Sequence, residues 1–165
     1  MAGSNELLMA RVQQGDRDAF RTLYAEWRAP LFHFLLRRTG SRELAEECYQ
    51  DTWARVWKSA HTFDPRRAFK SWLFTIAANV GHDAKRPVVA DFRLETTTNS
   101  DRVEAKNTLV VALHMLEGRD RAMMLLSIEG FKPAEIAEAF GVSPNSVRVR
   151  LSRARSQLRE QLLAR

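Results

Sequence analysis

The sequence predicts an all-α protein made of two small helical domains joined by a linker. Apolar residues recur with helical spacing from Asn5 to Arg86 and again from Leu109 onwards, and strand-like alternation is nowhere sustained. Between them, residues 87–105 combine a proline with polar runs and isolated apolar residues that form no stripe. We therefore expect a first domain at 1–86, a linker at 87–105 and a second domain at 106–165.

The composition favours a basic protein that works on a polyanion and stays in the cytoplasm. The chain has 165 residues and a formal net charge of +6, which weakly favours contacts with phosphate groups. Its first residues lack the basic flank and apolar stretch of a signal peptide. A single cysteine, Cys48, excludes an internal disulfide, and we interpret it as a packing residue. The four histidines are scattered without metal-ligand spacing, so no cofactor and no metal is expected.

The first two helices are predicted from their start and stop signals. Asn5 is a suitable cap for a short helix that ends at Gly15. The next helix begins near Asp16 and carries an apolar stripe of aromatic and aliphatic residues, and we expect Pro30 to interrupt or kink it.

The third helix, capped by Ser41, combines an apolar side with an acidic polar face. We assign Trp57 to the core and leave Trp53 open to contact a partner together with Gln50, Asp51 and Arg55. The residues themselves leave this partner face and an ordinary solvated face equally open.

A loop at 61–67 leads into a fourth helix that begins at about Phe69 and is surrounded by cations. The basic residues are Arg66, Arg67 and Lys70 at its start, and His82, Lys85 and Arg86 at its end. Aromatic rings beside cations can stack on and hold unpaired bases. Phe69 and Trp72 fit a core role slightly better, whereas Phe63, in the loop, is freer to contact a ligand.

The segment from Lys132 to Leu151 has the signals of a helix-turn-helix. Pro133 suits the first turn of one helix, although Lys132 is a poor cap for it. Gly141 provides a tight exit, and Ser143 and Pro144 suit the cap and first position of the next helix.

At about 100° per residue, the second of these helices presents a buried stripe and a polar face bordered by arginines. The buried stripe is Val147, Leu151, Ala154, Leu158 and Leu162. Small polar side chains flanked by arginines suit the major groove of DNA, although a solvated basic helix is the alternative. The residues expected at the duplex are Ser143, Asn145, Ser146, Arg148, Val149, Arg150, Ser152 and Arg153.

The order of these segments resembles the extracytoplasmic-function (ECF) sigma factors of the sigma-70 family. Three segments, at Gly15–Phe20, Ala45–Trp57 and Phe69–Asn79, resemble their region two, and Glu135–Arg155 resembles region four. The chain departs from the family pattern at Gly81-His82 and at Leu116–Gly118, which affects the expected minus-ten helix and the boundary of the second domain.

The resemblance implies a promoter-reading subunit of RNA polymerase, with the polymerase performing the chemistry. It implies that the third helix docks on core polymerase, and that the loop and helix from Phe63 to Arg86 melt the minus-ten element and hold a flipped base. Region four would read the minus-thirty-five element, and an anti-sigma factor would be a partner. The implied residues are Glu47, Gln50, Asp51 and Arg55 at the polymerase, and Phe63, Ala68, Asn79, Asp83 and Arg86 at the minus-ten strand.

Two other functions are compatible with parts of the sequence. A dimeric helix-turn-helix regulator would bind duplex DNA without polymerase. A sigma-like decoy would titrate an anti-sigma factor and never initiate transcription. A nucleic-acid enzyme is a more distant third, because no metal-binding or acid–base constellation is visible.

Overall fold

The computed structural model describes residues 3–80 and 108–164, which are helical and contain no β-strand. The N-terminal bundle (residues 3–80) contains α1 Ser4–Gln13, α2 Arg17–Thr39, α3 Arg42–Ser59, a 3-10 turn Ala60–Thr62 and α4 Phe69–Asn79. The C-terminal bundle (residues 108–164) contains α5 at 108–114, α6 Gly118–Ile128, α7 Pro133–Phe140 and α8 Pro144–Leu163. The all-α class is confirmed. The expected linker at 87–105 lies outside the described residues, and so do Asp83, Lys85 and Arg86 at the end of the expected first domain.

The caps of α2 and α3 lie where the sequence places them. The Asp16 carboxylate accepts from the backbone N–H groups of Asp18 and Ala19, at 2.9 and 3.0 Å. The backbone bond from Ala19 and the pairing with Arg11 lower the pKa of Asp16. Ser41 accepts from the N–H of Leu44. The cap expected at Asn5 is wrong, because α1 already begins at Ser4.

Helix α2 continues through Pro30, so the expected interruption is also wrong. It is a single helix of 23 residues, and Pro30 lies on its exposed side. Proline removes one backbone hydrogen bond and disfavours the helix interior by about 3 kcal/mol. Leu23 lies before Pro30, and Leu31, Phe34 and Leu35 follow it, all fully buried. Packing on both sides of Pro30 therefore outweighs the local cost.

Helix α1 fixes the start of α4. The N-cap residue of α4, Ala68, has no side chain that could cap the helix. Instead, the Glu6 carboxylate of α1 accepts from the N–H of Phe69 at 2.7 Å. The Gln13 amide donates to the carbonyls of Ala60 and Phe63 at 2.9 and 2.8 Å, so α1 also holds the loop that precedes α4.

The turn between α7 and α8 has the predicted geometry. Gly141 ends α7 with φ +64°, in the left-handed region that favours glycine. The Ser143 hydroxyl accepts from the N–H of Ser146 at 3.1 Å. At the start of α7, the Glu135 carboxylate accepts from the N–H of Lys132 at 2.8 Å. This bond is the half of a capping box that the N3 side chain makes, and the N–H of Glu135 donates to the backbone carbonyl of Lys132 at 3.0 Å.

The two bundles pack against each other, with α2 and α4 on one side and α6 and α7 on the other. The end of α2 docks on the C-terminal bundle through its backbone carbonyls. The His114 ring bonds the carbonyl of Arg37 at 3.1 Å, and the Arg121 guanidinium donates to the carbonyl of Arg38 at 2.9 Å. Gly40 follows with φ +70°, directly against the His114 ring. The buried apolar residues form one cluster that spans both bundles.

We expect Gly40→Ala to weaken this junction strongly. The left-handed backbone costs alanine about 1 kcal/mol. The added methyl group would also lie 2.5 Å from Cε1 of His114. Displacing a packed ring costs a further ~1–3 kcal/mol. Thermal and urea unfolding measure the combined loss.

Gly15→Ala is the matched control. Gly15 has φ +85°, but nothing lies within 4 Å of an added Cβ atom, so only the backbone cost applies. Equal losses of stability for the two variants would contradict the close approach between Gly40 and His114.

We also expect the folded protein to lose stability as the pH falls from about 6.5 towards 4. Burial, with a smaller contribution from the charge of Arg121, lowers the pKa of His114 to about 4. The unfolded chain, with an ordinary histidine pKa of about 6.5, takes up the proton first. The stability that neutral His114 provides is therefore complete above about pH 6.5 and is lost below it. Urea unfolding at several pH values measures this loss, roughly 1–3 kcal/mol at pH 4.

His114→Gln is the matched control, because the glutamine amide can still donate to a carbonyl but does not titrate. Subtracting its pH profile from that of the wild type removes the shared carboxylate titrations. A difference curve that is flat between pH 4 and 7 would contradict the prediction.

Candidate nucleic-acid interface

Helix α8 presents an open polar face opposite a buried apolar stripe. Val147, Leu151, Ala154 and Leu158 are buried, as predicted, against α6 and α7. Leu162, expected in the same stripe, is exposed (42%), and so is every other described residue of the chain from Arg159 onwards. The exposed positions on the opposite side are Asn145, Arg148, Val149, Ser152 and Arg153. Ser143 is exposed at the N-cap, and Ser146 is partly buried beside it.

Arg150 differs from Arg148 and Arg153, because it is partly buried and its guanidinium forms an ion pair with α6. Its guanidinium pairs with the Asp120 carboxylate of α6 at 2.7 Å. Arg155, on the same helix, reaches the Ser127 hydroxyl at 3.4 Å. Arg148 and Arg153 are exposed to solvent. The structure thus separates an arginine that braces α8 from two that project into solvent.

Phe63 is buried, so the expectation that this ring is free to contact a ligand is wrong. Phe63 is 3% exposed and packs edge-on against Phe69 and Trp72, with ring centroids 6.0 and 5.2 Å apart. The hydrogen bond from Gln13 to its carbonyl draws this part of the loop inward. Phe69 is fully buried, as the core assignment requires, whereas Trp72 is only partly buried.

Arg66 and Arg67, near the start of α4, are exposed, and each pairs with a carboxylate. Arg66 chelates the Asp64 carboxylate, and this interaction lowers the pKa of Asp64 to about 2. Arg67 pairs with Glu138 of α7 at 2.6 Å. Asn79, at the end of α4, donates to the carbonyls of Thr75 and Ala139 at 2.8 and 3.1 Å.

A cavity of about 420 Å³ lies between α4 and α7. Ala68 and Trp72 line it on one side, and Glu135 and Glu138 line it on the other. Phe63 is not among its lining residues and lies behind Trp72. Among the residues expected at an unpaired base, Arg67 and Ala68 therefore reach the cavity.

The structure reverses the sequence-based assignment of the two tryptophans of α3, Trp53 and Trp57. Trp53 is 4% exposed and packs against Phe20, Tyr24 and Tyr49, so it is a core residue and not part of a docking face. Trp57 is 44% exposed. At about 100° per residue, Trp57 lies 100° or more from each of the buried residues Ala45, Cys48, Thr52 and Val56, outside the centre of their stripe. Those angles are the signal that could identify Trp57 from the sequence.

The remaining residues of the expected docking face lie together on the outer side of α3. Glu47, Gln50, Asp51 and Arg55 are all exposed. Trp57 joins Asp51 and Arg55 around a shallow depression of about 430 Å³. Cys48, at the edge of the buried stripe beside this face, is buried, and burial raises the pKa of its thiol.

Two negative findings hold for residues 3–80 and 108–164. No group of three or more His, Cys, Asp or Glu side chains there could hold a metal ion. None of the helices in the same ranges is both long and apolar enough to cross a membrane.

Comparison with known proteins identifies both halves of the chain. Residues 23–87 match the family model of sigma-70 region 2, and residues 106–158 match that of sigma-70, region 4. The RNA polymerase sigma factor CarQ of Myxococcus xanthus is 32% identical over 165 residues, covering 93% of this chain and 95% of CarQ. The ECF RNA polymerase sigma factor SigL of Mycobacterium tuberculosis is 32% identical over 169 residues, covering 92% and 94%.

A solved structure shares the fold over almost the whole chain. CnrH, determined in complex with the cytosolic domain of CnrY, superposes with a TM-score of 0.76 at 27% identity, covering 98% of this chain and 99% of CnrH. The two matched regions, their order and the full-length relatives all agree. The chain belongs to the extracytoplasmic-function sigma factors of the sigma-70 family, and it is a promoter-directing subunit of RNA polymerase.

Proposed function

We propose that this sigma factor reads its promoter with two surfaces and docks on core polymerase with a third. The observation that carries the proposal is the exposed polar face of α8, which lies opposite a fully packed apolar stripe. A helix anchored in this way keeps its outer side chains in a fixed register on a DNA groove. The catalytic chemistry of transcription belongs to the polymerase, and the protein acts in the cytoplasm with the chromosome.

The face of α8 reads the minus-thirty-five element as duplex DNA. Asn145 and Arg148, in its first turns, have the amide and guanidinium groups that pair with base edges in the major groove. Ser152 lies within the face, and Ser143, Ser146 and Arg153 lie at its flanks, where contacts to phosphate fix the register. Val149 offers an apolar contact for a thymine methyl group. Arg150 contributes by bracing α8 against α6 through Asp120.

The surface of α4 binds the unpaired minus-ten strand. Arg66, Arg67 and Lys70 supply phosphate contacts, and Ala68 and Trp72, on the α4 side of the cavity, form the surface against which an extruded base packs once α7 has moved away. Phe63 supports the Trp72 ring from behind. Asn79 lies at the far end of the same helix. Asp83, Lys85 and Arg86 remain sequence-based predictions for this strand.

The outer face of α3 docks on core polymerase. It combines the carboxylates of Glu47 and Asp51 with Gln50 and Arg55, and the exposed ring of Trp57 adds an aromatic anchor at its edge. We further propose an anti-sigma factor as a regulatory partner, because the sigma factor RpoE of Bartonella quintana, which has a similar fold, was solved in complex with the anti-sigma factor NepR.

We expect Arg148→Ala to weaken minus-thirty-five recognition without affecting polymerase binding. Loss of one guanidinium contact costs ~1–3 kcal/mol at a base, or lowers the salt dependence by about one charge if the contact is to phosphate. Run-off transcription from a promoter library, with purified core polymerase, measures initiation. Fluorescence anisotropy on the selected promoter duplex measures binding at several salt concentrations.

Arg42→Ala is the control for the charge change. Arg42 is exposed at the start of α3 and loses the same unit of charge, but it lies in the other bundle. A duplex affinity that falls equally in the two variants would show a general charge effect, and would count against a reading face on α8.

We expect Asp51→Asn to weaken binding to core polymerase while duplex binding is unchanged. The substitution removes one exposed carboxylate with almost no change in shape, so any loss reflects a contact of that charge. Asp18→Asn, an equally isosteric change at an exposed site in α2, is the control. Binding to core is measured by anisotropy of a labelled protein. A protein that selects duplex DNA but never binds core would support a stand-alone regulator instead.

A further inference from the structure

The α4 surface proposed for the minus-ten strand is covered by acidic groups of the C-terminal bundle. Arg67 pairs with Glu138 at 2.6 Å, and the Ser71 hydroxyl contacts the Glu135 carboxylate at 3.5 Å. Both carboxylates belong to consecutive turns of α7. The Asn79 amide, farther along α4, donates to the backbone of α7. A whole face of α7 therefore lies along α4.

Glu129, at the end of α6, occupies two further cations of the N-terminal bundle. Its carboxylate lies 2.6 Å from the guanidinium of Arg37 and 3.9 Å from the ammonium of Lys70, which also donates to its backbone carbonyl at 3.2 Å. The Lys70 ammonium lies 5.7 Å from the ring centroids of both Phe74 and Phe131, so rings from the two bundles enclose it. Carboxylates thus occupy the positions that phosphates would take beside Lys70 and Arg67.

Buried hydrogen bonds and ring packing also join the two bundles, so the contact between α4 and α7 does not depend on exposed ion pairs alone. Arg121 of α6 donates to the end of α2, and Arg38 of α2 donates in turn to the carbonyls of Ala77 and Val80 at the end of α4. The Phe74 and Phe131 rings pack 5.9 Å apart across the junction. Exposed ion pairs are individually weak, but buried donors and apolar contacts hold them in place.

The other two functional surfaces remain open in the same structure. The polar face of α8, opposite the buried stripe, is exposed at Asn145, Arg148, Val149, Ser152 and Arg153. On α3, the carboxylates of Glu47 and Asp51 are exposed as well. The cover is therefore selective for α4.

We propose that the acidic face formed by Glu129, Glu135 and Glu138 is an internal mimic of the minus-ten strand, which keeps the free protein from binding unpaired DNA. This inference rests on the proposed role of α4. The closed chain can dock on polymerase and can contact duplex DNA, but the bundles must separate before α4 takes up a strand. The apparent affinity for unpaired DNA equals the affinity of the open protein multiplied by the fraction of molecules that are open.

A reversible lock across the junction tests the proposal. Ser71→Cys and Glu135→Cys place two thiols on facing helices, and a bismaleimide with a reducible spacer joins them. Cys48 is buried and its thiol pKa is raised, so it does not compete for the reagent. We expect the locked protein to retain binding to core polymerase and duplex DNA, and to lose about tenfold or more of its run-off activity. Reduction of the spacer should restore it.

The controls separate the lock from its chemistry. Each single-cysteine variant, capped with a monofunctional maleimide, carries the same adduct without the link. Locked protein that initiates as well as unlocked protein would overturn the inference. Wild-type protein that never initiates would instead overturn the proposed function. The radius of gyration of the free protein, measured by small-angle X-ray scattering, would still test the closed state.

Charge reversal opens the same junction without a reagent. Glu129→Arg and Glu138→Arg, each made as a single substitution, place a cation beside Arg37 or Arg67, so we expect small-angle X-ray scattering to give a larger radius of gyration for each variant. We also expect tighter binding to a single-stranded oligonucleotide of the non-template strand of the selected promoter. Glu160→Arg, on an exposed part of α8 packed only within the C-terminal bundle, makes the same charge change as a control. Wild-type scattering as extended as that of the reversed variants would overturn the inference.

Discussion

The end of α2 is the point on which the arrangement of the molecule depends. The last turn of a helix leaves backbone carbonyls without partners inside the helix, and burying them unpaired is costly. Here the N–H of Gly40 reaches the carbonyl of Leu36, while His114 and Arg121 from the C-terminal bundle reach the next two. One bundle thereby satisfies the backbone of the other. Cationic or donor groups at a helix C-terminus also complement its dipole.

Two buried arginines extend this junction in both directions. Arg121 also donates to the carbonyls of Leu113, His114 and Leu116, and so closes the end of α5. Arg38 closes the end of α4 in the same way, and burial lowers its pKa to about 10. Three helix ends therefore meet around two guanidinium groups, whose several planar donors suit such a shared site. The junction sets how α4 lies against α7.

This geometry gives the three surfaces of the sigma factor different accessibility. Helix α3 lies on the outside of the N-terminal bundle, and the polar face of α8 points away from α6 and α7, so both remain exposed. Helix α4 lies at the junction, where its cations meet carboxylates. A basic, aromatic surface left free would bind unpaired nucleic acid indiscriminately. Covering that one surface limits such binding.

Local sequence patterns were enough to predict the helical class, the caps at Asp16, Ser41 and Ser143, most of the buried stripe of α8 and the family of the chain. These features depend on residues that are close in sequence, where helical periodicity and local hydrogen bonds decide the outcome. Tertiary structure decided that Trp57 is exposed and Trp53 buried, that Phe63 packs behind Trp72, and that Glu6 caps α4. It also decided the pairing of Arg67 with Glu138, 71 residues apart. Such contacts depend on how helices pack, and a one-dimensional pattern does not specify which faces meet.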